Sequence, residues 1–84
     1  MPDLARRAAL AREVTESAAG GHRMTIEVSV LERHGWWRMS VPALPCIQTD
    51  ANSRSEIEPA VRQAIATALQ VPGHMFDLHF RIEG

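Results

Sequence analysis

The chain has 84 residues and a mass of 9.3 kDa, room for one small domain with a thin core, because a chain of this size buries only about 60% of its extended surface. Its composition, 45% hydrophobic and 23% charged with a formal net charge of -1, excludes a collagen-like, low-complexity or wholly disordered chain and gives no strong pull toward DNA or an anionic membrane. No apolar run approaches membrane-spanning length, and a single cysteine excludes an internal disulfide framework and fits a reducing cytosol, so a cytoplasmic protein is expected.

All nine basic residues are Arg. Together with abundant Ala this reads as the coding bias of a GC-rich genome rather than as a device for binding phosphate. Residues 3–18 predict a helix: Leu4, Ala8, Ala11, Val14 and Ala18 recur at helical spacing with Leu10 beside them, Asp3 can cap the start, and Gly20-Gly21 stops it. Its stripe is mostly Ala, so the helix is expected to be solvated or loosely docked. Residues 24–31 alternate, with Ile26, Val28 and Val30 on one face and Thr25, Glu27 and Ser29 on the other. That pattern is a half-buried strand. The segment Glu32-Arg33-His34-Gly35 is a compact hairpin connection, and residues 36–41 return with Trp37, Met39 and Val41 inward and Trp36, Arg38 and Ser40 outward. Pro42 and Pro45 are expected to end the ladder, leaving residues 46–49 only a brief extension.

Ser53 with Glu56, and Ser55 with Glu58, have capping-box spacing before a helix that carries Ile57, Val61, Ala64, Ile65, Ala68 and Leu69 on one face. In a helix starting at Ser53, Pro59 would cost a hydrogen bond, whereas it suits a first helical position, so a loose or bent first turn and regular helix over about 59–70 are expected, with a stop at Pro72-Gly73. Phe76, Leu78, Phe80 and Ile82 then alternate with Asp77, His79, Arg81 and Glu83, a last half-buried strand. The expected architecture is a two-layer α+β domain in the order αββαβ. It has a three-stranded mixed sheet, a β-hairpin, one main helix on one face and an additional N-terminal helix. A crossover would seat the last strand parallel to the second.

The chemistry-bearing residues are sparse. His22, His34, His74, His79 and Cys46 form no CxxC or HExxH pattern, so no metal or cofactor is expected. Cys46, beside Pro45 and Ile47, reads as a small buried apolar residue rather than a nucleophile. Gly20-Gly21 precedes a strand, not a helix, and makes no phosphate loop. No enzyme is expected. Trp36 and Arg38 share the sheet face turned away from the core, an arrangement that could stack on a base, though Glu27 lies on the same face. Such a Trp more often meets a partner chain or the N-terminal helix.

Residues 24–83 resemble the HicB-like antitoxin family in a compact form. The resemblance rests on the hairpin with Gly35-Trp36-Trp37, then Pro42-Ala43-Leu44-Pro45 and Thr49. It continues through the acidic helix start Ser55-Glu56-Ile57-Glu58, the helix body from Val61 to Ala66, Val71-Pro72-Gly73, and a final strand beginning Phe76-Asp77-Leu78. Cys46 stands where the family's motif has a Gly, and the protein is expected to lack the DNA-binding segment that many members carry after this domain. The resemblance implies a fold like a degraded ribonuclease H domain without catalytic carboxylates. It implies a protein that covers the active surface of a small HicA-type mRNA-cleaving toxin. From Met24 onward five Arg face seven Asp and Glu, a net of -2 that suits a basic partner.

Partner contacts are expected from Trp36, Arg38, Arg33 and Glu27, and unpaired strand edges point to a homodimer. The alternative is a small RNA-binding domain using the same face. The chain divides into an N-terminal extension, 1–23, and a HicB-like domain, 24–84. Gly20-Gly21 can be encoded by a ribosome-binding sequence, and Met24 follows at a suitable distance, so native translation is hypothesised to start at Met24. Recovery of peptides from residues 1–23 in protein taken from its host would exclude that start.

Overall fold

The structure, a computed structural model, describes residues 2–83, with side chains from residue 5. In chain order it runs α1 (Pro2–Ala19), β1 (Met24–Arg33), β2 (Trp36–Val41), β3 (Leu44–Ala51), α2 (Arg54–Leu69), a single 3-10 turn (Gly73–Met75) and β4 (Phe76–Glu83). The roles expected of Asp3 and Leu4 fall outside the described side chains. β1 and β2 pair antiparallel from Ser29–Ser40 to Arg33–Trp36. The turn between them is only His34-Gly35, both at positive φ (48° and 89°). Two such residues make the mirror-image turn whose twist matches the strands it joins.

The sheet has four strands in the order β3-β2-β1-β4, not three. Pro42 and Ala43 form a tight turn rather than an end, and β3 returns antiparallel along β2 with Arg38 opposite Asp50, Met39 opposite Thr49 and Ser40 opposite Gln48. Pro45 sits exposed on this edge strand, where a missing donor interrupts no ladder between two neighbours. An irregularity between Ser40 and Val41 absorbs the register change. The extra strand also changes the seat of the last one. With β3 on its far side, β2 has no free edge, so β4 pairs parallel with β1, from Met24–Phe76 to Leu31–Glu83, instead of with the second strand.

Both helices lie on one face. Leu10 and Val14 of α1, and Val61, Ile65 and Leu69 of α2, join Ile26, Val28, Val30, Met39, Val41, Leu44, Ile47, Ala51 and Phe76 in one core. Among the described residues every fully buried side chain is apolar, which spares the core the cost of an unpaired polar group. Cys46 is not part of this core but exposed, because the inward positions of β3 are Leu44, Ile47 and Ala51. The Arg7 guanidinium of α1 reaches its sulfur, with Nη2 at 3.1 Å from Sγ.

The helix ends follow backbone chemistry more than side-chain caps. α1 closes with His22 N–H donating to the Ser17 carbonyl and Gly21 N–H to Ala18, with Gly21 at φ 84°. That is the paired bonding in which glycine tolerates the left-handed position. α2 starts at Arg54, five residues before Pro59, and runs continuously through it. One missing donor near an exposed N-terminal end costs little when the carbonyl it would have met faces water. The Ser53 side chain makes no cap, and Glu56 Oε2 accepts from Asn52 N–H at 3.3 Å, one residue before the expected partner. α2 ends where expected, at Leu69 with Gln70 as its cap, but the cap and not Pro72-Gly73 closes it: Gln70 sits at φ 56°, with Val71 N–H donating to the Ala66 carbonyl and Gln70 N–H to Thr67. A side chain at this left-handed position carries strain that glycine avoids. Gln70→Gly is therefore expected to raise stability by about 0.5–1 kcal/mol, read from the urea midpoint at unchanged slope.

Candidate functional site

The face opposite the helices holds no fully buried residue among those described. Register sets its rows. Arg33 stands opposite Trp36 beside the turn; Leu31 lies between Glu83 and Arg38, and Arg38 faces Asp50; Ser29 lies between Arg81 and Ser40; Glu27 stands opposite His79. These pairs share a face because residues directly opposite in a sheet point the same way.

The hairpin end is the distinctive part. The Arg38 guanidinium carbon lies 5.2 Å from the centroid of the Trp36 ring, within cation-π range. Arg38 Nε donates to Asp50 Oδ1 at 3.1 Å. Asp50 thereby fixes the guanidinium over the indole, although an exposed ion pair of this kind adds little to stability. Leu31 sits half-buried beside them. The result is a platform of indole and guanidinium, residue types that anchor protein interfaces, with Leu31 next to it in register.

Of the four expected contact residues, the structure brings Trp36, Arg38 and Arg33 together. Glu27 shares the face but lies four residues along β1 from Leu31, about 13 Å away at strand spacing. Its carboxylate is engaged by Arg81, with Oε1 at 3.2 Å from Nη2. Arg23 Nη1 lies 3.5 Å from Asp77 at the far end. The face carries Glu27, Asp50, Asp77 and Glu83 against Arg33, Arg38 and Arg81, so it is not a basic surface. α1 packs on the other side of the sheet and leaves Trp36 uncovered.

A second feature escapes a reading of alternation alone. On the helix side, Val30, Trp37, Ile57, Phe80 and Ile82 line a groove of about 220 Å³ with Arg54 and Glu58 at its rim. The last inward residue of β4, Ile82, is 65% exposed. Its sequence signal was the alternation of β4 continuing to Ile82 while the first turn of α2 opposite it is polar. Elsewhere, His22 and His74 border one depression together with Arg23. Among the described residues no three metal-ligating side chains come together, and no helix is long and apolar enough to cross a membrane.

Comparison of the chain with protein-family models, with curated proteins and with solved structures finds no match.

Proposed function

We propose that this protein is a non-catalytic binding module of the HicB-like antitoxin kind, acting in the cytoplasm by covering the active surface of a small basic HicA-type toxin. The observation that carries the reading is the uncovered sheet face with Trp36 held under Arg38 at the hairpin end. A large half-exposed indole on a rigid hairpin is suited to burial in a partner, and its guanidinium cover is already ordered by Asp50. The order of hairpin, Pro42-Ala43 turn, acidic-start helix and final strand agrees with the segments on which the family resemblance rests.

RNA is the weaker occupant of this face. Arg38 is neutralised by Asp50, and four carboxylates would meet a polyanion there. The reading is tested by affinity capture of the tagged protein from host lysate, with and without ribonuclease. One small basic protein should be retained regardless of ribonuclease, should cleave mRNA when purified alone, and should stop doing so when the wild-type chain is added in equal amount. Trp36→Ala is expected to weaken that inhibition by at least about tenfold while leaving the unfolding midpoint nearly unchanged. Retention that vanishes with ribonuclease, or a Trp36→Ala chain that inhibits as well as wild type, overturns the reading.

A further inference from the structure

The two edges of the sheet are not alike. β3 is defended in the ways edge strands usually are: it carries Pro45, its pairing is irregular beside Val41, and Arg7 of α1 reaches Cys46 on it. β4 has neither a proline nor irregular pairing, and its contact with an arginine of a helix, Arg62 with the Phe76 carbonyl, falls at its first residue. It contains no Pro, Gly or Lys, pairs with β1 over all eight of its residues without a shift, and ends in the exposed Ile82. A long, regular edge is a template for another strand, and the charges on this one, Asp77, Arg81 and Glu83, repel or attract it according to register.

The sequence of β4 selects its own complement. In a closed two-fold dimer two copies of one strand run antiparallel about the axis. With the axis at His79, Asp77 of each copy stands opposite Arg81 of the other, Leu78 opposite Phe80, and Phe76 opposite Ile82. Both faces then match: acid meets base on the open face, and apolar meets apolar on the helix side. Moving the register by two residues one way places Asp77 opposite Glu83 and His79 opposite Arg81. Moving it the other way leaves Arg81 opposite Met75 and Ile82 opposite His74. A shift by one residue puts apolar side chains against charged ones across the whole strand.

We infer that two copies of this chain join along β4, antiparallel about an axis through His79, to form one continuous eight-stranded sheet with Asp77–Arg81 pairs between copies. Asp77 and Arg81 already approach Arg23 and Glu27 within the chain; carboxylate and guanidinium each have further bonding sites for the partner copy. The dimer covers Ile82 and leaves the Trp36 platform, at the turn between β1 and β2, on the open face. The inference rests on the homodimer expected from unpaired edges and is independent of the toxin.

Cysteine cross-linking reads the register directly. In a background of Cys46→Ser, His79→Cys places two thiols on the axis. Opposed residues in an antiparallel pair have α-carbons about 4.5–5.5 Å apart, within the range a disulfide spans. Asp77→Cys places its two thiols about 13 Å apart along the strands, beyond that range. Under mild oxidation the His79→Cys chain should therefore become a covalent dimer at least about tenfold faster than the Asp77→Cys chain. His79→Arg gains a carboxylate neighbour, Glu27, within the chain but meets its own charge on the axis. It should fold normally and dimerise about fivefold or more weakly in sedimentation equilibrium. A wild-type chain that stays at 9.3 kDa at all concentrations, or equal cross-linking of the two cysteine variants, overturns the inference. Because neither measurement uses a toxin, its failure leaves the proposed function standing, and the reverse.

Discussion

A chain beginning at Met24 should lose most of its folding stability. Removing residues 1–23 takes Leu10 and the fully buried Val14 out of the core and uncovers the surfaces of β1, β3 and α2 on which they rest. Burying one such side chain stabilises by roughly 1.5–3 kcal/mol, so the two together contribute about 3–6 kcal/mol before any neighbour is counted. The shorter chain no longer has to order a helix of 18 residues, which offsets part of that loss. The remainder is still a large share of the roughly 5–15 kcal/mol that holds a domain together. The comparison is urea unfolding of the 84-residue chain against the chain from Met24, followed by far-ultraviolet circular dichroism. A broad transition or a midpoint lowered by several kcal/mol equivalents is expected. If the two chains share a midpoint, α1 is an appendage, and translation from Met24 becomes structurally sufficient. The single variant Val14→Asp separates the helix's docking from its mere presence, because it buries an unpaired charge at one site and leaves the chain length alone.

The same residues show what sequence reading could and could not reach. β1, β2 and β4 were legible because each has a face that alternates cleanly, and α2 because its apolar positions keep helical spacing. β3 was hidden by Pro42, in the turn before it, and by Pro45 within it. Proline signals the end of a ladder in the middle of a sheet, but in a turn or on an edge strand it carries no such meaning. That one omission propagated to topology, since a vacant edge on β2 is what made a parallel seat beside it plausible. Docking of α1 was obscure for a different reason: the stripe is mostly Ala, and among the described residues only two larger side chains, Leu10 and Val14, enter the core. The site followed the same logic. Alternation placed Trp36, Arg38 and Glu27 on the open face, while it left Arg33 in the hairpin connection and not at the end of β1, where it stands opposite Trp36. It could not show that Asp50, on the unrecognised strand, fixes Arg38, or that Glu27 lies too far along β1 to share the platform.

Replacing Arg62 should be the most damaging single substitution outside the apolar core. Its half-exposed side chain joins three parts of the chain: it pairs with Glu58 one turn earlier, donates through Nη1 to the Gly73 carbonyl, and donates from the same nitrogen to the Phe76 carbonyl at 2.9 Å. Its guanidinium carbon also lies 5.4 Å from the centroid of the fully buried Phe76 ring. Gly73 packs closely on this side chain: an added β-carbon there would stand 3.2 Å from Arg62 Cγ, so the arginine stem would have to shift to admit it. One residue of α2 thus ties the helix to the turn that follows it and to the start of β4. Arg62→Met keeps the aliphatic length and removes the donors, leaving two carbonyls in a partly buried corner to find other partners. A charged hydrogen bond of this kind contributes about 1.5–3 kcal/mol, and partial exposure places the expected loss near the lower end, about 2 kcal/mol. Glu58→Gln, which removes only the exposed half of the pair, should cost about 0.5 kcal/mol or less. Equal losses for the two variants would mean that the ion pair, and not the carbonyl bonds, is what Arg62 supplies. The consequence reaches the edge of the sheet: if β4 pairs with a second copy, Arg62→Met should weaken that dimer as well as the fold, because Phe76, the residue Arg62 anchors, is the one that meets Ile82 across the axis. Glu58→Gln should leave dimer strength unchanged, and sedimentation of both variants at one concentration separates the two effects.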